Sequence, residues 1–134
     1  MRGTKNRLYV IALLAPVLTV GAMLVAIEAR AELVDIRWDG DQRFERALEV
    51  LPGKFAEVCG NLSRGQTIAW RFEANRAIDF NVHYHDGGRV VFPAKQDAAT
   101  KAADTLKVHL DQDYCWMWTN QSADTVHLHL TLQR

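Results

Sequence analysis

Short segments in which apolar and polar side chains alternate most constrain what this 134-residue chain can fold into. A period of two belongs to a strand with one buried face, whereas an amphipathic helix repeats about every 3.6 residues. The alternation predicts strands over 67–72, 78–85, 89–92, 106–110, 114–119 and 125–132. Asp86-Gly87-Gly88 predicts a hairpin turn, and the polar, alanine-rich residues 94–103 predict a loop or a helical turn. Many short strands separated by turns indicate an all-β fold, an antiparallel β-sandwich over 54–134.

A charged lead, residues 32–53, precedes these strands. Within it, Phe44, Leu48 and Leu51 recur at helical spacing behind an aspartate suited to cap a helix, and a Pro-Gly pair follows them. The lead is therefore predicted to contain a short helix over 41–51.

The first 31 residues carry the marks of an export signal. Three basic residues precede an uncharged run over 8–27, and Ala29-Arg30-Ala31 supplies a small-x-small cleavage site before Glu32. The run contains 20 residues, which suffices to cross a bilayer about 30 Å thick. Residues 1–31 are thus a cleaved signal peptide or a retained membrane-anchor helix. Both alternatives place the rest of the chain outside the cytoplasm, in the periplasm or on the outer face of the cytoplasmic membrane.

The exported part is mildly acidic and contains both cysteines. Residues 32–134 carry 12 Lys and Arg against 15 Asp and Glu, a net charge of −3, and no basic face that would bind nucleic acid. In an oxidising compartment a disulfide between Cys59 and Cys115 is expected. Closing this loop of 56 residues would stabilise the fold by about 4 kcal/mol on the chain-entropy model.

Three pairs of potential metal ligands, each one residue apart, lie on the predicted strands. They are His83 with His85, Cys115 with Met117, and His127 with His129. Side chains at i and i+2 leave one face of a strand about 6.6 Å apart, so two imidazoles with metal–nitrogen bonds of about 2 Å can converge on one ion. Imidazole combined with soft sulfur is the ligand set that copper prefers. The pattern predicts a copper site with His83 and His85 as core ligands and Met117 as a soft neighbour.

Each pair also has a structural interpretation. His83 and His85 face away from the predicted core, so they can be solvated side chains on the outer face of a sheet. Cys115 is a thiolate ligand or a disulfide partner, and these two uses exclude each other. His127 and His129 join the site only if the last strand lies beside the strand of Cys115. Otherwise they lie on the solvent-exposed face of that last strand.

A family resemblance adds to this pattern. The segments 65–72 (GQTIAWRF), 78–82 (IDFNV) and 114–120 (YCWMWTN), with Cys59 ahead of them, resemble the strand pattern of the GOLD (Golgi dynamics) domain. The resemblance covers about residues 54–134 and concerns strands, not a catalytic signature. It implies a β-sandwich module for protein or lipid interaction, without enzymatic activity, and a disulfide that ties an early strand to a late one. The histidine pairs are additions to the family pattern, which indicates a small exported, bacterial relative.

These observations together favour a binding module over an enzyme. Ser63 and Ser122 do not lie in a sequence motif typical of a catalytic nucleophile, and the sequence has no glycine-rich phosphate loop. The predicted function is a small exported, non-enzymatic module with a copper-type site, for metal handling or for support of a membrane metalloenzyme. The alternative is a metal-free interaction module, an accessory subunit of a membrane complex. Its partner is then a protein at the membrane surface, with 8–27 as the anchor.

Overall fold

The computed structural model describes residues 31–134, which form seven strands and no helix. The strands are β1 (Glu32–Asp35), β2 (Arg43–Val50), β3 (Phe55–Leu62), β4 (Thr67–Asp86), β5 (Arg89–Lys107), β6 (Gln112–Thr119) and β7 (Val126–Gln133). The predicted all-β class is confirmed. No helix among the described residues has the length and apolar character needed to cross a membrane. The predicted signal peptide or anchor over 1–31 lies outside the described residues, apart from Ala31.

β4 and β5 form a long hairpin that belongs to both layers of the sandwich. One side of β4 pairs with β5, while the other side pairs with β7 along 69–74 and with β6 along 79–84. Register shifts after Glu73 mark the bend between the two halves. At the bend Ala98 has φ 51°, and its N–H donates to Asp79 Oδ1 over 3.0 Å. The strands predicted over 67–72 and 78–85 are therefore the two halves of one strand.

The remaining strands complete two layers that share this hairpin. The order in the sheet is β1-β3-β6-β4-β7-β2, with β5 pairing only with β4. β1, β3, β6 and the second half of β4 form the first layer, and β2, β7 and the first half of β4 form the second. All pairs are antiparallel except β1 with β3, which is parallel. The edge strands β1 and β2 approach each other, with Glu32 Oε1 3.2 Å from Arg46 Nη2, so the sheet is nearly closed into a barrel.

The core is aromatic where the two layers meet. The ring of Phe80 lies 4.7 Å from Phe72, 5.0 Å from Trp70 and 5.4 Å from Trp118, measured between centroids. The residues predicted to face inward on three strands are buried, comprising Ile78, Phe80, Val82, Tyr114, Trp116, Trp118, Val126, Leu128, Leu130 and Leu132. Tyr84, also predicted to face inward, is partly buried and packs against this core. Their alternating partners face outward, which is what places the polar candidates of these strands on the outer surface.

The helix predicted over 41–51 is wrong, because this segment is β2 and pairs with β7 along its whole length. The spacing of four between Phe44 and Leu48 fits one helical turn and also two repeats of a strand, and the buried Val50 continues the strand period. The side chain of Asp39 accepts hydrogen bonds from the backbone N–H groups two and four residues on, at 3.0 and 2.8 Å. This local turn replaces a helix cap and leads the chain into the strand.

The loop or helical turn predicted over 94–103 is also wrong, since these residues belong to β5. β5 is an edge strand with one neighbour, and most of its side chains are exposed. Such a strand is held by its backbone ladder to β4 rather than by an apolar face, so its sequence carries little alternation. Of the strand predicted over 106–110, residues 106–107 form the end of β5.

Candidate metal centre

The candidate site lies on the outer face of the first layer, where side chains from three strands align in two rows. One row contains Cys59, Cys115 and His83, and the next contains Glu57, Met117 and Asn81, in the order β3, β6, β4. We call these six residues the outer-face cluster. The rows arise because Val58, Trp116 and Val82, which alternate with them, are buried in the core. The strands that carry His83 and Cys115 are neighbours, which is the condition for these side chains to meet on one sheet face.

A disulfide joins Cys59 to Cys115, with the two Cα atoms 4.1 Å apart. The two residues lie directly opposite each other on β3 and β6, so the strand register brings them together. The predicted bridge is confirmed, and no free cysteine exists within the described chain. In the oxidised protein Cys115 is therefore not a thiolate ligand.

His83 is buried, with 7% of its surface exposed, although its position on the outer face predicted a solvated ring or an open ligand. Glu57 reaches across β6 and places Oε1 3.1 Å from His83 Nε2, while Asn81 Oδ1 lies 2.8 Å from Nδ1. The ring of Phe92 covers the imidazole with a centroid distance of 6.0 Å. The imidazole is thus held by contacts at both nitrogens and on one side of the ring.

Both nitrogens of His83 face acceptor oxygens in the assigned orientation of the Asn81 amide. A neutral imidazole has one donor nitrogen and one acceptor nitrogen. Three arrangements satisfy the geometry: an imidazolium that donates to both oxygens, a neutral imidazole that donates from Nε2 to Glu57 and accepts at Nδ1 from the Asn81 amide in the opposite orientation, or a cation between Nε2 and the Glu57 carboxylate. Burial lowers the pKa of His83; the charge of Glu57 opposes this, and His85 adds to the lowering. The lowered pKa favours the neutral imidazole, which is the form of the ring that can bind a cation together with the Glu57 carboxylate.

His85 and Met117 flank this ligand pair. The His85 ring is exposed and nearly perpendicular to that of His83, with centroids 5.6 Å apart. Met117 lies between Glu57 and Asn81 in the second row. The ligand atoms that the structure brings within 4.8 Å of one another belong to Glu57, His83 and Cys115. The convergence of His83 and His85 on one ion stays a prediction.

His127 and His129 lie on the outer face of the second layer and do not join the cluster. β7 pairs with β2 and with the first half of β4, not with β6. His127 is opposite Glu49, and His129 is opposite Glu73 of β4. Both side chains are exposed, which agrees with the interpretation that they form the solvent-facing side of the last strand. His109 is also exposed. The condition under which this pair would contribute ligands is not met.

Glu57 and Asn81 are the members of the cluster that sequence reasoning missed. A signal existed for Glu57: Ala56, Val58 and Leu62 alternate with Glu57 and Cys59, so the glutamate and the cysteine share a face. Once the pairing of the two cysteines is predicted, Glu57 follows two positions away on the same strand. The alanine and the glycine in β3 weaken its apolar alternation, which is why this strand was not predicted.

No protein-family profile and no curated protein matches this sequence. Solved structures do match the fold at low sequence identity. The periplasmic inhibitor of g-type lysozyme, PliG, of Aeromonas hydrophila superposes with a TM-score of 0.63 and 12% identity, covering 78% of this chain and 96% of that one. The pre-peptidase C-terminal domain of collagenase from Bacillus anthracis gives a TM-score of 0.55 and 12% identity, with 77% and 96% coverage.

A third similar structure is CorA, a surface-associated copper-binding protein important in copper acquisition by Methylomicrobium album BG8. Its TM-score is 0.51 at 8% identity, and the match covers 78% of this chain and 98% of CorA. At these identities the similarity establishes the fold alone. The GOLD resemblance stays a prediction.

Proposed function

We propose that this chain is a small exported, non-enzymatic binding module that holds a copper-type ion at His83 and Glu57 on the outer face of the first layer. The observation that carries the proposal is the buried imidazole whose Nε2 faces a carboxylate oxygen at 3.1 Å while Asn81 holds Nδ1 at 2.8 Å. Metal-binding histidines commonly have their second nitrogen fixed in this way by a hydrogen bond. The role is metal handling, or support of a membrane metalloenzyme.

Two further observations support copper and export. Met117 adds a thioether beside the ligand pair, and soft sulfur with imidazole favours copper over harder ions. The similar structures include one copper-binding, surface-associated protein and periplasmic lysozyme inhibitors. Together with the signal-like residues 1–31, these favour a periplasmic or outer-surface location.

A copper titration of the protein purified from its exported fraction tests the proposal. We expect one copper ion to bind with a dissociation constant below micromolar. His83→Ala and Glu57→Gln should each weaken binding at least about tenfold, since even outer-sphere groups are worth about 10–100-fold in metal affinity. The matched control is His127→Ala with His129→Ala, a pair of the same spacing on the opposite outer face. Unchanged affinity in His83→Ala, or parent binding no tighter than micromolar, would contradict the proposal.

The second candidate is a metal-free protein-interaction module. Val90 and Phe92, 44% and 50% exposed, lie beside His85 and His83 on the first half of β5, so the rim of the cluster presents apolar surface. The superposition with a lysozyme inhibitor fits this alternative. This second candidate is favoured if the protein binds no copper but binds a partner protein, and if the double substitution Val90→Ser/Phe92→Ser abolishes that protein binding.

A further inference from the structure

The disulfide is part of the candidate metal centre and not only a cross-link. Cys115 offers its sulfur to the same small space as His83 and Glu57, with their ligand atoms within 4.8 Å of one another. Cys59 lies directly across from Cys115 on β3. The sulfur of Cys115 therefore lies near the imidazole nitrogen and the carboxylate, and the sulfur of Cys59 is bonded to it.

We propose that reduction of the Cys59–Cys115 disulfide changes the ligands available in the outer-face cluster. The reduced cluster is then a metal site of higher affinity, with two thiolates, His83 and Glu57 as ligands. Zn(II) accepts two thiolates, an imidazole and a carboxylate as a four-ligand set, and Cu(I) accepts the two thiolates and the imidazole. The inference rests on the proposed function because it uses the same His83 and Glu57. It adds a redox control: the oxidised chain offers nitrogen, oxygen and thioether ligands, and the reduced chain offers thiolates.

The reduction is a thiol–disulfide exchange with a dithiol. A thiolate of the dithiol attacks the sulfur of Cys59, the less buried of the two residues, and the Cys115 thiolate leaves. The second thiolate of the dithiol then displaces Cys59, so the reductant ends as a disulfide and the protein gains two electrons and two protons. Metal binding afterwards replaces the two thiol protons, which are released to solvent.

The backbone around the two cysteines is held by strand pairing and core packing as well as by the bond. β3 and β6 pair over eight register positions, from Phe55↔Thr119 to Leu62↔Gln112, and both strands bury alternate side chains in the core. We therefore expect the two cysteines to remain opposite each other after reduction, with Cys115 next to His83. A site whose ligands are held before binding loses little free energy to ordering.

Metal competition before and after reduction tests the inference. The protein is reduced with dithiothreitol, freed of it by anaerobic gel filtration, and titrated with Zn(II) and with Cu(I) against a chromophoric chelator. We expect the reduced protein to bind one ion at least about a hundredfold more tightly than the oxidised protein, since lost ligands cost no less than the 10–100-fold of outer-sphere groups. Reduced His83→Ala should lose much of this gain. Cys59→Ala/Cys115→Ala should bind no more tightly than the oxidised parent.

The outcomes separate this inference from the proposed function. Copper binding by the oxidised parent with no gain on reduction overturns the inference and leaves the function standing. Absent binding in the oxidised parent with tight binding after reduction supports the inference and overturns the function. If near-ultraviolet circular dichroism shows that the reduced protein unfolds, refolding by one equivalent of Zn(II) supports the inference, and failure to refold overturns it.

Discussion

At the residue scale, His83 links the fold to the candidate chemistry. Its imidazole is buried on a face that alternation alone marks as solvent-exposed, because Glu57, Asn81 and Phe92 close over it. Burial disfavours its charged form, and the nearby carboxylate only partly offsets this. The burial of this ring should therefore make the protein sensitive to acid.

We expect the metal-free protein to lose stability as the pH falls below about 6.5, the ordinary histidine pKa. The unfolded chain takes up a proton at His83 there, whereas the folded chain, with its lowered pKa, takes it up only at lower pH. The loss of stability caused by protonation of His83 is absent above that pH. Below it, the free energy of unfolding falls by at most about 1.4 kcal/mol per pH unit for one proton. Urea unfolding in the presence of a chelator measures it. His83→Gln should flatten the slope between pH 5 and 6.5, and the exposed His109→Gln should not.

Asn120 is the second residue with a large predicted effect. It is fully buried; its Nδ2 donates to the carbonyls of Val50 (2.9 Å) and Asp124 (2.7 Å), and its Oδ1 accepts from the N–H and the hydroxyl of Ser122. Asn120→Ala should lower the free energy of unfolding by roughly 2–4 kcal/mol, because it leaves buried backbone groups unpaired. Chemical denaturation measures the change, and the exposed Gln121→Ala should stay within about 0.5 kcal/mol. An equal effect of both substitutions would contradict the role of these hydrogen bonds.

At the scale of elements, the sequence predicts strands well where one face is packed and poorly elsewhere. The second half of β4, β6 and β7 each have large apolar residues on one face, and their predicted inward sides are buried. β5 is an exposed edge, and β3 carries small residues, so neither has a strong apolar period. β2 was predicted as a helix because a spacing of four fits both periods. Glu57 was missed as a ligand for the same reason that β3 was missed as a strand.

Gly60 shows how closely the chain beyond β1 packs against β3. A Cβ atom at this position would lie 3.0 Å from Cβ and 2.9 Å from Cδ1 of Ile36. Gly60→Ala should therefore destabilise the fold by about 1–3 kcal/mol through overpacking, since Ile36 must move. Thermal or urea unfolding gives the value. Gly88→Ala is the control, because an added Cβ there meets nothing within 4 Å. Equal stability of the two variants would show that Ile36 moves away from the new methyl group without a loss of stability.

At the scale of the whole molecule, the two outer faces are chemically distinct although both carry a histidine pair. The first layer buries His83 beside a disulfide and a carboxylate, whereas the second layer leaves His127 and His129 exposed. The sequence predicts His83 and His85 as core ligands, but it leaves open whether His127 and His129 lie on the same face as Cys115. The answer depends on the order of strands in the sheet, which places β6 beside the second half of β4 and β7 beside the first.

The disulfide should contribute strongly to the stability of so small a domain. Cys59→Ala/Cys115→Ala should lower the free energy of unfolding by about 4 kcal/mol, because the oxidised unfolded chain is constrained by a closed loop of 56 residues. Urea unfolding of the metal-free variant and of the metal-free reduced parent should give similar values. A loss below about 1 kcal/mol in both would show that the unfolded chain gains little freedom when the bond is absent.

The shared hairpin also sets the order in which this chain can mature. β4 and β5 are consecutive and joined by a tight turn at Gly87-Gly88, so they can pair before distant segments meet. Cys59 precedes the hairpin and Cys115 follows it, and their sulfurs meet only when β3 has paired with β6. Because the chain has two cysteines, only one intramolecular pairing exists. Biosynthesis of this protein therefore requires an oxidant for its thiols but no isomerase to correct them.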